Sequence, residues 1–250
     1  TWLLLQKHQN YWSHTVSAVD ACFAVLQDQQ NWLTDKQDIR LQVGGIAVDN
    51  HFLSSLDTTG GFEYRIPGDK IQPRMGTIIL QRKSGHTTPG IGAAYWQYFD
   101  AMDQVQPAGS VLKITKQIFI EKSNSKGPVL EPVTEQTVWK PGDKLVTRLH
   151  LQSDRDLDYV HLKDLRASCL EPENILSGYQ WKPGIFYYQS ASDVAMHFFI
   201  DHLYKGSYDI EYTLRVTHIG SFGTGIASVE CLYAPELSAH SGSGTMRVEE

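Results

Sequence analysis

The ten residues Tyr208–Thr217 read Y-D-I-E-Y-T-L-R-V-T. Tyr208, Ile210, Tyr212, Leu214 and Val216 fall on one parity; Asp209, Glu211, Thr213, Arg215 and Thr217 fall on the other. Successive side chains of a strand point to opposite faces, so this pattern predicts a strand with one dry and one wet face. Sheets of that kind are antiparallel. Register is firmly set: each fully buried side chain of this size contributes about 1.5–3 kcal/mol. A slip of one residue would turn the whole apolar row out into water.

The same rhythm extends outward from this stretch. Leu145, Thr147, Leu149 and Leu151 oppose Val146, Arg148, His150 and Gln152. Val194, Met196, Phe198 and Ile200 share a face, with His197 on the other side. Ala227, Val229, Cys231 and Tyr233 oppose Ser228 and Glu230. Period two is already present from Asp38 onward, and Leu112, Ile114, Ile118 and Ile120 share one face that Lys116 interrupts. Turn-forming clusters punctuate the chain at Pro67-Gly68-Asp69, Ser84-Gly85, Pro89-Gly90 and Ser123–Pro128. Short alternating strands between such clusters predict a mainly β fold, with two antiparallel β-sandwich domains. The run S-N-S-K-G-P at 123–128 is the expected linker between them.

One segment obeys a different period. Val16, Val19, Phe23 and Leu26 recur at helical spacing, and Ser13 is placed to cap a helix reaching about Gln27. Ala18, Ala21, Cys22, Ala24 and Val25 leave Ser17 and Asp20 as its polar exceptions. A helix that is apolar nearly all round belongs inside a larger helical array, and no other long helical pattern follows. The sequence therefore predicts a short α-helical stub, cut from a bundle of a longer protein.

Composition narrows the function classes. With 250 residues and 41% hydrophobic content, the chain can fill one large core or two ordinary ones. Net charge is −6 and Lys and Arg are dispersed, so the basic stripe of a nucleic-acid binder is missing. No run approaches the ~20 apolar residues of a membrane helix. Three cysteines, Cys22, Cys169 and Cys231, occur without a C-x-x-C, which fits neither a disulfide framework nor a zinc site. Buried free thiols are the favoured reading, and a Cys169–Cys231 bridge is the open alternative.

Each candidate for chemistry fails on its geometry. Asp154, Asp156 and Asp158 open like a calcium loop, but Tyr159 and Leu165 stand where that loop needs Gly and Glu. Cys169 has Glu171 and Glu173 nearby and Arg166 as its one cation, the reverse of what a reactive thiolate needs. His197 and His202 lie five apart on a strand and so face opposite ways. Gly220–Gly225 is glycine-rich, yet a strand pattern follows it, where a phosphate cradle needs a helix. Neither H-E-x-x-H nor G-x-S-x-G occurs. The expectation is a chain that is not an enzyme, with no catalytic, cofactor-binding or metal-ligating residue. Residues 154–172 are expected to form a turn, a strand and a corner, their charges in water and Cys169 buried. Six Trp and twelve Tyr sustain one alternative, a carbohydrate-binding β-sandwich module of a larger enzyme or adhesin. Three or more aromatics exposed in one row would mark it.

Five stretches, taken in order, carry a resemblance. W-L-L-L-Q-K with W-S-H-T-V-S-A-V-D-A-C-F-A-V-L (Trp12–Leu26) resembles the closing helices of the thioester-containing helical domain of alpha-2-macroglobulins. K-P-G-D-K-L-V-T-R-L (Lys140–Leu149) resembles the opening of the C-terminal macroglobulin-like domain of bacterial members. Y-V-H-L-K-D-L-R-A-S-C-L-E-P (Tyr159–Pro172), L-Y-K-G-S-Y-D-I-E-Y-T-L-R-V-T-H-I-G-S-F (Leu203–Phe222) and L-Y-A-P-E-L-S-A-H-S (Leu232–Ser241) are similar to later segments of that domain.

The resemblance implies terminal helices at 1–34, a CUB-type β-sandwich segment at 36–122 and a C-terminal macroglobulin-like sandwich at 129–250. It implies a non-catalytic C-terminal fragment of a protease-trapping, endopeptidase-inhibiting protein. Its partners would be proteases, met through the full-length protein, and its own upstream domains, the helical domain above all. The parent would be a bacterial envelope protein, periplasmic or lipid-anchored. The thioester signature C-x-E-Q has only an echo here, Val133-Thr134-Glu135-Gln136, with Val in place of the cysteine. The thioester is therefore absent from this chain, and no functional residue is carried over.

Overall fold

The computed structural model of the chain describes residues 14–28, 39–48, 54–56, 61–82, 94–97, 99, 101, 104–125, 127–134 and 137–250. The described residues fall into two compact units, one within Ser13–Phe99 and one within Asp100–Glu250. The fold is mainly β and antiparallel, as the alternation predicts.

In the first unit, helix α1 spans Thr15–Asp28. The His14 carbonyl accepts from the Ser17 and Ala18 amides and starts the helical ladder; Ser13, the expected cap, lies outside the described residues. Val16, Val19, Phe23 and Leu26 are all exposed. Strands β1 (Ile39–Val43), β2 (Ile46–Ala47), β3 (Ser54–Leu56), β4 (Gly61–Glu63) and β5 (Ile78–Arg82) follow. They form a three-stranded sheet of order β2-β1-β5 and a β3–β4 ribbon. The β1–β2 turn uses Gly44 at φ 60° and Gly45 at φ 79°, the double positive φ that a tight hairpin demands. Leu41 and Val43 are its buried apolar residues. The described residues of this unit thus show a small sheet and a ribbon, and residues 112–122, expected at the end of the 36–122 segment, belong to the second unit instead.

The second unit is a sandwich. Its strands are β6 (Ala108–Gly109), β7 (Leu112–Asn124), β8 (Gly127–Pro132), β9 (Val138–Trp139), β10 (Lys144–Ser153), β11 (Leu157–Leu165), β12 (Leu170–Pro172) and β13 (Gly178–Lys182). There follow β14 (Ile185–Ala191), β15 (Ala195–Leu203), β16 (Gly206–Val216), β17 (Gly220–Gly223), β18 (Ala227–Cys231), β19 (Ala234–His240) and β20 (Thr245–Val248). One layer has order β12-β16-β10-β7-β8 and the other β13-β14-β15-β11-β18-β19-β6; a small sheet β17-β20-β9 closes one end.

The parity read from the sequence sets the register. Thr147 pairs with Tyr212, Leu149 with Ile210 and Leu151 with Tyr208 across β10–β16. Leu145, Leu149, Leu151, Ile210, Leu214 and Val216 from one layer meet Val160, Leu162, Met196, Phe198, Ile200 and Val229 from the other in one continuous core.

Three expectations are corrected. Residues 123–128 are no linker: Ser123 pairs with Pro128 and Asn124 with Gly127 at the end of the β7–β8 hairpin. Polar turn residues close a hairpin as readily as they join domains, and the division between units falls at Phe99–Asp100 instead. Val194, expected inside, is exposed because it sits in the turn before β15, where the Ser192 amide donates to the Ala195 carbonyl. Tyr233 is also exposed, because β18 ends at Cys231 and Leu232 and Tyr233 form the turn into β19, where strand parity no longer applies.

Candidate functional site

The most concentrated polar chemistry lies in the dry centre of the sandwich. Lys116 on β7 shares parity with Leu112 and Ile114 and therefore points inward. Asp164 on β11 shares parity with Val160 and Leu162 and does the same. The two meet between the layers: Lys116 Nζ lies 2.7 Å from Asp164 Oδ1, with the side chains 6% and 0% exposed. Lys116 Nζ also donates to the Leu165 carbonyl at 2.7 Å and the Thr224 carbonyl at 3.0 Å. The Tyr212 hydroxyl, from β16, donates to Asp164 Oδ2.

Burial pushes the Asp164 carboxyl above the usual carboxylate range, against the pull of Lys116 and Tyr212. Burial, then the facing Asp164, pushes the Tyr212 hydroxyl well above its ordinary value. Three acceptors account for the three N–H groups of an ammonium, which leaves the nitrogen no lone pair for attack. The cluster is a cross-tie between the two layers. Thr224 belongs to the glycine-rich loop, where Gly225 at φ 75° brings its backbone against the Leu165 carbonyl.

This cluster corrects the expectation that the charges of 154–172 are all solvated. A signal was present in the sequence. Lys116 and Asp164 both stand at core parity on different strands, and a buried charge must be paired.

Three other acids of that stretch have partners of their own. Asp154 holds Arg155 at 2.8 Å, Asp156 Oδ1 accepts from the Lys205 amide at 2.7 Å, and Asp158 binds His202. The calcium reading has no support from this arrangement. Among the described residues no group of three or more His, Cys, Asp or Glu is arranged to hold a metal. Cys169 and Cys231 are buried free thiols, so the bridge is not formed. Burial pushes Cys169 up to about 11, and its Sγ rests 3.9 Å from Met246 Sδ. Arg166, the supposed activating cation, is occupied by the carbonyls of Leu170, Ser192 and Asp193. His197 and His202 do not meet. His197 Nδ1 lies 3.0 Å from His161 Nε2, and burial lowers the pKa of both rings.

The outer face of the seven-stranded layer carries an aromatic field. Tyr179, Tyr188, Phe199 and His161 form one row across β13, β14, β15 and β11, flanked by Phe186, Trp181 and His197. Within this row Tyr179 and Phe199 are exposed while Tyr188 and His161 are half-buried, so the three exposed aromatics in one row that would mark a sugar platform are not met there. Its rings also cover one another. Tyr179 and Phe186 stack with centroids 5.2 Å apart and planes 7° apart; His161 and Phe199 do so at 4.6 Å and 5°. Parallel rings that close lie face over face, so the faces a pyranose would use are partly taken. In the first unit, an open depression of about 510 Å³ is lined by Ile71, Gln72, Pro73, Gly76 and Trp96, none of them ionisable. No helix among the described residues is long and apolar enough to cross a membrane.

The second unit is thus a two-layer antiparallel β-sandwich whose layers are tied together by a buried ion pair. Residues 112–236, half of the chain, match the family model for the bacterial alpha-2-macroglobulin MG10 domain. The chain belongs to the bacterial alpha-2-macroglobulin family. Among solved structures it is similar to Salmonella alpha-2-macroglobulin reacted with methylamine, at 21% identity and TM-score 0.46, over 58% of this chain and 10% of that one. It is also similar to native alpha-2-macroglobulin from Escherichia coli spanning domain MG7 to the C-terminus, at 16% identity and TM-score 0.46, over 58% of this chain and 24% of that one. The chain thus spans about a tenth of the length of the Salmonella protein. No curated protein matches it.

Proposed function

We propose that this chain is the C-terminal portion of a protease-trapping protein of the alpha-2-macroglobulin kind, and that its own part is mechanical and recognitional, not catalytic. On this reading α1 is the end of a helical domain. The β segment from about residue 36 is the CUB-type part, and the sandwich is the terminal macroglobulin-like domain. The sandwich packs against upstream domains and helps hold the native state until a protease cuts elsewhere in the parent.

The observation that carries the reading is the family match, which falls on the sandwich itself. The polar centre is consistent with it: Lys116 and Tyr212 both bind Asp164, and all three side chains are buried between the layers. Proteases are the partners in this reading, and the envelope of a bacterium, periplasmic or lipid-anchored, is the location.

The test is a trapping assay on the full-length parent protein. The parent is incubated with an endopeptidase, which is then assayed on a folded protein and on a short chromogenic peptide. Trapping predicts loss of the first activity with retention of the second. Equal, undiminished turnover of both substrates would refute the proposal. The isolated chain is expected to hydrolyse no generic peptide, ester or glycan, and turnover that survives repurification would refute the non-catalytic part.

A further inference from the structure

On the outer face of the seven-stranded layer, β11 and β15 bring two imidazoles together. His161 on β11 stands opposite Phe199 of β15, and His197 shares the parity of Phe199 on that strand, so both rings project to one side of the sheet. His161 Nε2 and His197 Nδ1 are 3.0 Å apart. The ring planes differ by 7° and the centroids lie 5.3 Å apart. With the nitrogens so close, that centroid spacing is reached only edge to edge, each nitrogen aimed at the other. Phe199 stacks on His161 at 4.6 Å and 5° and holds that ring in place.

The outer nitrogens have acceptors of their own. His161 Nδ1 lies 3.8 Å from Glu230 Oε1, on β18 directly opposite His161. A carboxylate only accepts, so His161 carries its proton on Nδ1 and directs the Nε2 lone pair inward. His197 Nε2 lies 3.2 Å from Ser192 Oγ, and the Ser192 hydroxyl donates to the Ala195 carbonyl at 3.2 Å. Ser192 Oγ then accepts from His197 Nε2, and the lone pair of His197 Nδ1 faces inward as well. Two lone pairs meet head-on in this state, and the gap between them calls for an electrophile. Were the hydroxyl to donate to Nε2 instead, the His197 proton would sit on Nδ1 and close the gap with an ordinary hydrogen bond. One tautomer shift of His197 separates the two states.

The spacing suits a metal ion. With metal–nitrogen bonds of about 2.0–2.1 Å and angles between square and tetrahedral, two imidazole nitrogens on one ion lie roughly 2.8–3.4 Å apart. The χ2 torsion of histidine is broad, so small turns of the rings bring both lone pairs onto one ion. Metal-bound histidines characteristically donate their other N–H to a carboxylate or similar acceptor, the part that Glu230 and Ser192 are placed to play. Lys163, opposite His197 on β11, opposes a cation, and Glu230 favours one. The His161 side chain is 16% exposed and His197 is half-buried, so water reaches the remaining coordination positions.

We propose that His161 Nε2 and His197 Nδ1 chelate one divalent transition cation of the kind imidazole favours, zinc or copper, and so clamp β11 to β15. Glu230 and Ser192 hold the outer nitrogens, and water completes the shell. The inference is independent of the protease-trapping reading and goes beyond it.

Long-range proton–nitrogen NMR of the imidazoles, recorded while zinc is titrated into the chain, tests it. Zinc is expected to shift His161 Nε2 and His197 Nδ1 saturably and together, with the protons on His161 Nδ1 and His197 Nε2 at the end point. Calorimetry is expected to find a zinc site in the wild type that is lost in His161→Gln and in His197→Gln. Glu230→Gln should weaken that site by about 10–100-fold, and Lys163→Gln should tighten it. Circular dichroism checks that each variant keeps the wild-type fold; the Glu230 and Lys163 variants leave both ligands in place.

The chain has ten histidines, and the variants separate this site from scattered binding. An adventitious ion only, shifting other histidines equally or binding both histidine variants as it binds the wild type, overturns the proposal. So does a His197 that keeps its proton on Nδ1 at saturating zinc, or a Lys163→Gln variant that binds zinc more weakly than the wild type.

Discussion

Replacing Lys116 by methionine keeps most of the side chain's volume and removes its charge. Asp164, fully buried, then keeps the Tyr212 hydroxyl as its partner, while the Leu165 and Thr224 carbonyls lose a donor. Removing one partner of a buried pair costs about 3–5 kcal/mol. Whole domains are stable by about 5–15 kcal/mol, so Lys116→Met should consume a large share of that margin. Asp164→Leu alone should be similarly harmful, since it strands an ammonium. The triple variant Lys116→Met/Asp164→Leu/Tyr212→Phe removes every polar member together, and apolar replacement of a whole buried network is often close to neutral.

Equilibrium urea unfolding, followed by tryptophan fluorescence, supplies the free energies. The triple variant should be more stable than either single variant, with an unchanged m-value. If the single-variant losses simply add in the triple variant, or if Lys116→Met costs less than about 1 kcal/mol, a figure within reach of a mere surface pair, the cross-tie account is wrong.

Other perturbations have defined outcomes. Gly225→Ala would place a Cβ 2.2 Å from the Leu165 carbonyl oxygen at φ 75°; strain of this kind costs about 1–3 kcal/mol before any clash is counted, so calorimetry should show the midpoint fall by several degrees. Burial lowers the folded pKa of His161 and His197 below the ordinary 6.5, so their contribution is complete above pH 6.5 and is lost as pH falls through the lowered values. His161→Gln/His197→Gln should therefore flatten the acid side of the stability–pH curve; an unchanged slope refutes the assignment. A native chain treated with a thiol-specific chromogenic disulfide should react at the exposed Cys22 and not at Cys169 or Cys231, the last two appearing only with denaturant. Rapid reaction of Cys169 in the native state would contradict a thiol held near 11.

Most of the sandwich can be read directly from parity. Tyr208–Val216 and Leu145–Leu151 form neighbouring strands with the predicted faces inward, because a sheet with one wet face punishes any other register. What parity could not supply is partnership. Lys116 is visible as a break in an apolar row, and Asp164 follows Val160 and Leu162 in step. Their meeting depends on which strands of opposite layers come face to face, a long-range fact with no local trace. Residues 123–128 show the converse limit, since the same Ser, Asn, Gly and Pro suit a hairpin end and a linker. Tyr233 was lost to a turn: β18 stops at Cys231 without any change in composition that marks its end. The aromatic row was foreseen as a criterion; its mated rings follow from cross-strand spacing, not from residue counts.

Arg166 has a consequence for motion. One guanidinium grips the Leu170 carbonyl on one segment and the Ser192 and Asp193 carbonyls on another. Two connections that would otherwise fluctuate separately are yoked to a single hinge-pin. The corner after β11 and the turn before β15 are thereby held at a fixed separation by one side chain.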